Sequence, residues 1–432
     1  MSIFKVGLIG FGTIGAGVAK LLLGKEKEVQ TAVGHTIKLV KICDKDLATD
    51  RGVDLPEGIL TDNLSDILDN KEIDIVIELI GGLEPARTFV LKALRAGKNV
   101  VTANKALLAN HGPELFEEAR LQKKTIAYEA AVGGGIPILA SIGTSLQANR
   151  IESIQAILNG TCNFILSQME GKGTDYQDAV REAQRLGYAE ANPAMDVEGI
   201  DTVQKLTILA QLAFGASVNW KEISCKGIDS VSAIDIQYAE ALSCRIRLIA
   251  DARRTEEGLE LKVAPTLVPF SSPLAQVKDA FNAIQVVGDF VGPVFYQGLG
   301  AGQRPTASAV CSDVIDTVLG RAAITFSTLN LWGKDRAGIL VKPSNDVLRK
   351  AYLRVGVEDK TGVMSEISGI LASQGISIAS IIQREGIDKT NPMVNMILMT
   401  HAATEGNLKK AIEKIDRLSY VMNKTVCLGV QG

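Results

Sequence analysis

Between Gly187 and Lys205 the chain concentrates groups able to hold charge or move a proton: Glu190, Asp196, Asp201 and Lys205 lie around a Pro-containing turn and the start of an apolar helix. Asp201 and Lys205 are four residues apart, so they share one helix face and can pair. Val203, Leu206, Ala210 and Ala213 recur at helical spacing and predict the buried face. A lysine near a helix start breaks a local rule, because the helix dipole disfavours a cation there. Broken rules are expected at functional sites, where partial burial beside a carboxylate tunes a lysine. On pattern alone, an ordinary surface ion pair is the favoured reading of Asp201 and Lys205. The only histidines are His35, His111 and His401, so any proton transfer carried out between residues 112 and 400 falls to lysine or a carboxylate.

A second group of residues stands at the N-terminus. Gly10-Phe11-Gly12-Thr13-Ile14-Gly15 fits G-x-G-x-x-G, following a strand-like run and opening a helix-like one. In that context the first glycine makes the turn, the second admits a pyrophosphate to the backbone and the third packs helix on strand, which predicts a dinucleotide site. Asp44 lies 29 positions beyond Gly15, where about 20 is usual, and the run KEKEVQTAVGH lengthens the connection. Asp44 suits a ribose 2′-hydroxyl, as in NAD. Lys45 or Arg51 suits the 2′-phosphate of NADP, and DKD also reads as a plain solvated turn. The choice between NAD and NADP stays open. Hydride transfer to a nicotinamide from an alcohol also moves a proton, which is the task a lysine or carboxylate would perform.

The elements that must position these groups follow from periodicity. Up to about Glu129, short apolar runs alternate with helical stretches, which predicts a parallel sheet with crossover helices, that is, an α/β Rossmann-like domain over 1–130. Residues 131–320 mix helices and strands and read as an α+β substrate-binding and dimerisation domain, with a buried helix near 305–325 packing back on the first domain. Residues 321–349 read as a linker, most plainly from Gly333 to Ser344. From 350 to 432 the order strand, helix, strand, strand, helix, strand is the ferredoxin-like βαββαβ motif.

Composition narrows the function classes. Hydrophobic residues make up 46% and charged residues 22% of the 432 positions, ordinary for a globular protein of two or three domains. Lys and Arg total 46 against 49 Asp and Glu, with no long run of either sign, so no nucleic-acid partner or membrane surface is implied. The six cysteines are scattered without C-x-x-C pairs, which predicts reduced thiols in a cytoplasmic chain. The chain runs from Met1 directly into a strand-like segment, and no signal peptide or membrane-spanning run is expected.

Four runs in order, VTANKALLA, EAAVGGGIP, NGTCNFIL and YAEANPAMDVEGIDTVQKL, resemble the homoserine dehydrogenase family over essentially residues 4–320. The resemblance implies NAD(P)-dependent interconversion of L-homoserine and L-aspartate 4-semialdehyde, within threonine, methionine and isoleucine biosynthesis. It implies Lys205 as acid/base with Asp201 as partner, Glu190 and Asp196 as substrate carboxylates, and Lys105 where cofactor and substrate meet. Thr102, Gly300 and Gly302 would line the cofactor, although Gly300 and Gly302 read equally as a turn before a helix. It further implies a structural monovalent cation, Na+, held by Glu129 and the carbonyls of Val132, Gly134 and Ile136; the plain alternative is a glycine-rich hinge. Cys162 stands where a threonine is common in that family. A thiol before Asn163 admits a semialdehyde dehydrogenase forming a thioester, but its base would be missing, and a small packing residue is the favoured reading. A non-enzymatic nucleotide and amino-acid sensor is the remaining alternative. The run VEDKTGVMSEIS, with Asp359, Thr361 and Gly362, resembles the strand-to-helix turn of ACT domains, which implies L-threonine as effector and a homodimer or homotetramer.

Overall fold

The strand Ile3–Ile9 is buried from Val6 onward, and a strand covered on both faces belongs inside a parallel sheet flanked by helices. The computed structural model, which describes residues 2–333, 338–383 and 393–431, has it there. Six parallel strands run in the order Leu60–Thr61, Thr36–Cys43, Ile3–Ile9, Ile75–Glu78, Asn99–Thr102, Ile126–Ala127. The order reverses between Ile3–Ile9 and Ile75–Glu78, and such a switch opens a crevice at the carboxyl ends of the strands. Val6, Leu8, Val18 and Leu22 form the core of this layer together with Ala307, Val310 and Val314 of the helix Gln303–Val318. Small residues permit that packing, because a Cβ on Gly17 would lie 2.7 Å from the Gln303 side chain.

The chain divides into two units, Met1–Glu152 with Gln204–Glu222 and Phe281–Ile339, and Ser153–Val203 with Ile223–Ala280 and Leu340–Gly432. The stretch read as a linker opens with a regular helix, Arg321–Leu329, and part of its remainder, residues 334–337, lies outside the described residues. The left-handed Gly320 (φ 75°) precedes a new helix at Arg321, so one glycine turn separates two helices where periodicity suggested an end.

In the second unit the long antiparallel pair Cys244–Thr255 and Gly258–Pro269 is flanked on one side by Ile151–Ile157. On the other side Gly258–Pro269 pairs in parallel with Val426–Val430 through Thr266 and Gly429. Val426–Val430 then pairs with Leu348–Glu358, which pairs with Met393–Thr400, which pairs with Ile378–Gln383. With the helices Val363–Ser373 and Glu405–Ile415 these four strands complete the βαββαβ motif. Its core is Leu353, Val355, Ile367, Leu371, Met396, Leu398 and Ile415. The C-terminal sheet thus continues a sheet that starts near residue 151.

A buried polar anchor sits on that continuation. Asp235 is fully buried and caps its own helix through Ser232. Its carboxylate also accepts from the Tyr352 hydroxyl at 3.0 Å and from Arg354 Nε and Nη2 at 2.7 and 3.0 Å. Burial and the facing carboxylate hold the Tyr352 hydroxyl well above its ordinary pKa, so it stays a donor. Removing one member of a buried ion pair strands the other. Asp235→Leu is therefore expected to cost about 3–5 kcal/mol in urea denaturation, and Tyr352→Phe about 0.5–1.5 kcal/mol; equal small losses would contradict the anchor.

Candidate active site

The glycine-rich turn is built as its spacing requires. Gly10 has φ 101° and lies against Leu79, whose backbone would stand 2.7 Å from an added Cβ, and a Cβ on Gly15 would lie 2.1 Å from the Gly10 carbonyl oxygen. Gly12 has nothing within 4 Å of that position, which leaves its backbone open to a ligand. The helix that starts at Thr13 has neither a side-chain cap nor an acidic residue in its first turn, so its N–H groups suit an anion. Ile9, Gly10, Gly12, Asp44, Lys45 and Leu79 are among the residues around a cavity of about 560 Å³. Asp44 is at the end of the second strand, yet its carboxylate is engaged by the protein: Oδ2 accepts from Phe11 N at 2.5 Å and Oδ1 from Asp46 N at 2.9 Å. Arg51 lies over the Phe11 ring, 5.1 Å from its centroid, and pairs with Asp46 at 3.1 Å. These ties make the DKD segment an ordered part of the cleft wall.

The TANK run sits at the end of the strand Asn99–Thr102, where a second carboxylate fixes it. Glu78 is 1% exposed, and its oxygens accept from Thr102 Oγ1 at 2.7 Å and from the amides of Ile80 and Gly81 at 3.0 and 3.2 Å. Burial nevertheless raises its pKa. Thr102 Oγ1 accepts in turn from Asn104 N at 3.0 Å, and Asn104 caps the helix Lys105–Leu121 through Leu107 N at 3.0 Å. Lys105 is thereby held at the first position of that helix, half-buried. Glu78 carried no recognisable spacing in the sequence; its position at a strand end in the switch crevice was the only signal.

The second unit gathers the acids. Asn159 caps the helix Gly160–Lys172 with its Oδ1 on Cys162 N at 2.8 Å. Its Nδ2 donates to Asp196 Oδ1 at 2.7 Å and to Asp201 Oδ2 at 2.9 Å. One carboxamide thus brings together two predicted site residues 5 positions apart on different helices, and it was missed in the sequence because Asn before Gly reads first as a turn. Cys162 is fully buried and its thiol donates to the Asp196 carbonyl at 3.2 Å. A thiol in that position packs; the thioester reading finds no support. Glu190 remains exposed on the loop before this cluster.

Asp201 and Lys205 both lie on the helix Ile200–Phe214, at 5% and 8% exposure. Every residue from Asp201 to Leu212 is buried, so the surface ion-pair reading is wrong. The predicted stripe was misleading because Thr202, Gln204, Thr207 and Gln211 are buried as well. A helix covered on all sides needs a reason to keep an acid and a base.

The two glycine-rich turns at 133–135 and 300–302 meet. Gly135 N donates to the Leu299 carbonyl at 3.0 Å, and a Cβ on Gly134 would lie 2.5 Å from the Gly300 backbone. Gly302, with φ 111°, precedes the helix Gln303–Val318, and Gln303 Nε2 donates to the Thr13 carbonyl at 2.9 Å. Close backbone approach, beyond a hinge, accounts for the three consecutive glycines. Both carboxylate oxygens of Glu129 accept amides, from Leu139 at 2.9 Å and Ala140 at 2.7 Å, and burial pushes its pKa up to about 7.

Two outcomes test this geometry. Asn159→Asp places a third carboxylate against Asp196 and Asp201, and kcat/KM is expected to fall at least about 100-fold (about 2.7 kcal/mol) with the circular dichroism unchanged; wild-type turnover would contradict it. Gly15→Ala is expected to raise the KM for a nicotinamide dinucleotide at least about tenfold, read in initial-rate kinetics.

Family models match the chain in three places: homoserine dehydrogenase over residues 137–315, its NAD binding domain over 10–129, and the ACT domain over 351–419. The chain is 40% identical over 420 residues to a homoserine dehydrogenase of Neisseria gonorrhoeae, covering 96% of each, and 36% identical over 432 residues to that of Bacillus subtilis, covering 100% and 99%. It is similar to the crystal structure of a homoserine dehydrogenase from Thiobacillus denitrificans, with TM-score 0.91, 42% identity, and 99% and 98% coverage. A hyperthermophilic archaeal homoserine dehydrogenase in complex with NADPH matches 73% of this chain and 98% of its own, at 26% identity and TM-score 0.62. The matches to the Neisseria, Bacillus and Thiobacillus proteins run over nearly the whole of each chain, and the chain belongs to the homoserine dehydrogenase family of NAD(P)-dependent oxidoreductases.

Proposed function

We propose that Lys205 is the acid/base for interconversion of L-homoserine and L-aspartate 4-semialdehyde. The observation that carries the reading is the burial of Asp201 and Lys205 one turn apart on an otherwise uncharged helix. A nicotinamide cofactor held at the glycine-rich turn would supply the hydride acceptor for the alcohol carbon. Lys205, as the neutral amine, takes the hydroxyl proton as that carbon becomes an aldehyde, and as the ammonium returns it in the reverse direction. Asp201, one turn away on the same helix, is itself oriented by Asn159. Asp196, held by the same carboxamide, and Glu190 receive the substrate ammonium, while Lys105 receives its carboxylate. Gly10 to Gly15, Thr102, Gly300 and Gly302 line the cofactor. With the Asp44 carboxylate engaged by backbone amides, Lys45 and Arg51 are the groups that would meet a 2′-phosphate, which favours NADP over NAD.

A monovalent cation, Na+, fits the turn after Glu129 through main-chain oxygens. Among the described residues no donor reaches the carbonyls of Val132 and Gly134, and oxygen-only donors suit a hard cation. The Glu129 carboxylate, already engaged by two amides, would orient the turn, and the carbonyls of Glu129 and Ile136, which accept from Val132 N at 3.4 Å and Ile138 N at 2.8 Å, would complete the set with their second lone pairs.

L-threonine is the proposed effector at the exposed turn Asp359 to Gly362, where Gly362 (φ 91°) opens the helix Val363–Ser373. A homodimer or homotetramer is the proposed assembly, since ACT domains pair. Six cysteines without a disulfide among them support a reducing, cytoplasmic location. Among the described residues no helix is long and apolar enough to cross a membrane.

The test is a spectrophotometric assay with L-homoserine and each cofactor, with and without L-threonine. Lys205→Ala is expected to lower kcat by about 10²–10⁴ with NADP binding retained; wild-type turnover in that variant would refute the mechanism.

A further inference from the structure

Two turns proposed to line the cofactor come from opposite ends of the first unit's sequence, and each opens a helix. The glycine-rich turn leads into Thr13–Gly24 and the turn at 300–302 into Gln303–Val318. Behind the turns the two helices share one apolar core, with Val18 on the first and Ala307 and Val310 on the second. Apolar burial is non-directional, so it holds the helices together without fixing how far one slides along the other.

A polar contact fixes that register. Gln303 Nε2 donates to the Thr13 carbonyl at 2.9 Å, which ties the first residue of one helix to the first residue of the other. To reach it, the Gln303 side chain crosses the first helix over Gly17, where an added Cβ would lie 2.7 Å from Gln303 Cγ and 3.1 Å from the Gln303 carbonyl oxygen. Glycine at 17 is what admits the crossing. The turn before Gln303 is backed from its other side. Asn282 is 1% exposed, and its carboxamide lies so close to Gly300 that an added Cβ there would stand 1.9 Å from Asn282 Nδ2. Gly134 closes on the same backbone, at 2.5 Å from its own added Cβ. Held in this way, the turn has little freedom of its own, and Gln303 carries its position across to the glycine-rich turn.

We propose that Gln303 is a positioning residue for hydride transfer: it keeps the turn at 300–302, at the nicotinamide end of the cofactor site, in register with the glycine-rich turn at the pyrophosphate end. The inference rests on the proposed placing of Gly300 and Gly302 against the cofactor. An intact dinucleotide spans both turns, so a slip of one turn against the other moves the nicotinamide carbon relative to the alcohol carbon of the substrate. A misplacement of about 1 Å costs on the order of 10²-fold in rate. A ligand that fills only the adenosine and pyrophosphate end meets one turn and does not sense the register. Loss of the Gln303 bond therefore slows turnover with the whole dinucleotide and spares the binding of such a fragment.

The experiment compares the full-length wild type with two variants. Gln303→Met keeps the length of the side chain and removes the donor, while Gly17→Ala keeps the donor and obstructs its crossing. Each protein is measured in initial-rate kinetics with L-homoserine and NADP, in calorimetric titration with 2′-phospho-ADP-ribose, which lacks the nicotinamide, and in thermal denaturation. Both variants are expected to lower kcat at least about tenfold, with the KM for homoserine and the Kd of the fragment within about threefold of wild type. The thermal midpoint of Gln303→Met is expected to match the wild type. Wild-type kcat in Gln303→Met overturns the proposal. Fragment binding weakened as much as kcat falls, or a lowered thermal midpoint in Gln303→Met, makes the residue a structural brace and overturns it too. Gly302→Ala, which strains the turn itself at φ 111°, separates this inference from the reading beneath it. A slow Gly302→Ala beside a wild-type Gln303→Met refutes the register role alone; wild-type kinetics in both removes the turn from the cofactor site.

Discussion

A carboxylate and a lysine sit on a helix with no exposed side between Asp201 and Leu212, and the proposed active site is arranged around the cost of keeping them there. Taking a carboxylate out of water costs several kcal/mol, even after relaxation. Asn159 offsets part of that cost at Asp201 by donating to it, and the same amide group ties in Asp196. Its own carbonyl is committed to the start of the helix Gly160–Lys172, so the side chain has little freedom to turn. Rigid acceptors and donors, fixed before substrate arrives, are what electrostatic catalysis requires.

The nucleotide half follows the same logic with different atoms. Glu78 spends its carboxylate on Thr102 and two amides, Thr102 steadies Asn104, and Asn104 caps the helix that begins with Lys105. Asp44 spends its carboxylate on the glycine-rich loop and on its own turn. In each case a buried or half-buried acid fixes backbone and hydroxyl groups at a strand end of the parallel sheet. The close approach of Gly134 to Gly300 brings two distant loops together by the absence of side chains, with no bond formed.

Much of this was legible in the residues. The G-x-G-x-x-G spacing in its strand-helix context identified the nucleotide turn, and the βαββαβ order identified the C-terminal motif, because both are local patterns. The burial of Lys205 was not legible: Thr202, Gln204 and Gln211 interrupt the apolar stripe, so the helix looked two-faced when it is covered throughout. Asn159 was hidden because its partners Asp196 and Asp201 come from other helices. The pairing of Val426–Val430 with Gly258–Pro269 joins segments more than 150 residues apart, and nothing in either strand's own pattern specifies its neighbour.

The claim that Asp201 and Lys205 act as one unit is tested most directly by a double-mutant cycle on kcat/KM. Residues that work together lose function non-additively. Lys205→Ala, Asp201→Asn and the double variant are compared with the wild type using L-homoserine and NADP at fixed pH. The account predicts that the double variant is no slower than Lys205→Ala alone, within about threefold. Losses that multiply would mean that the two groups contribute separately, and would contradict it.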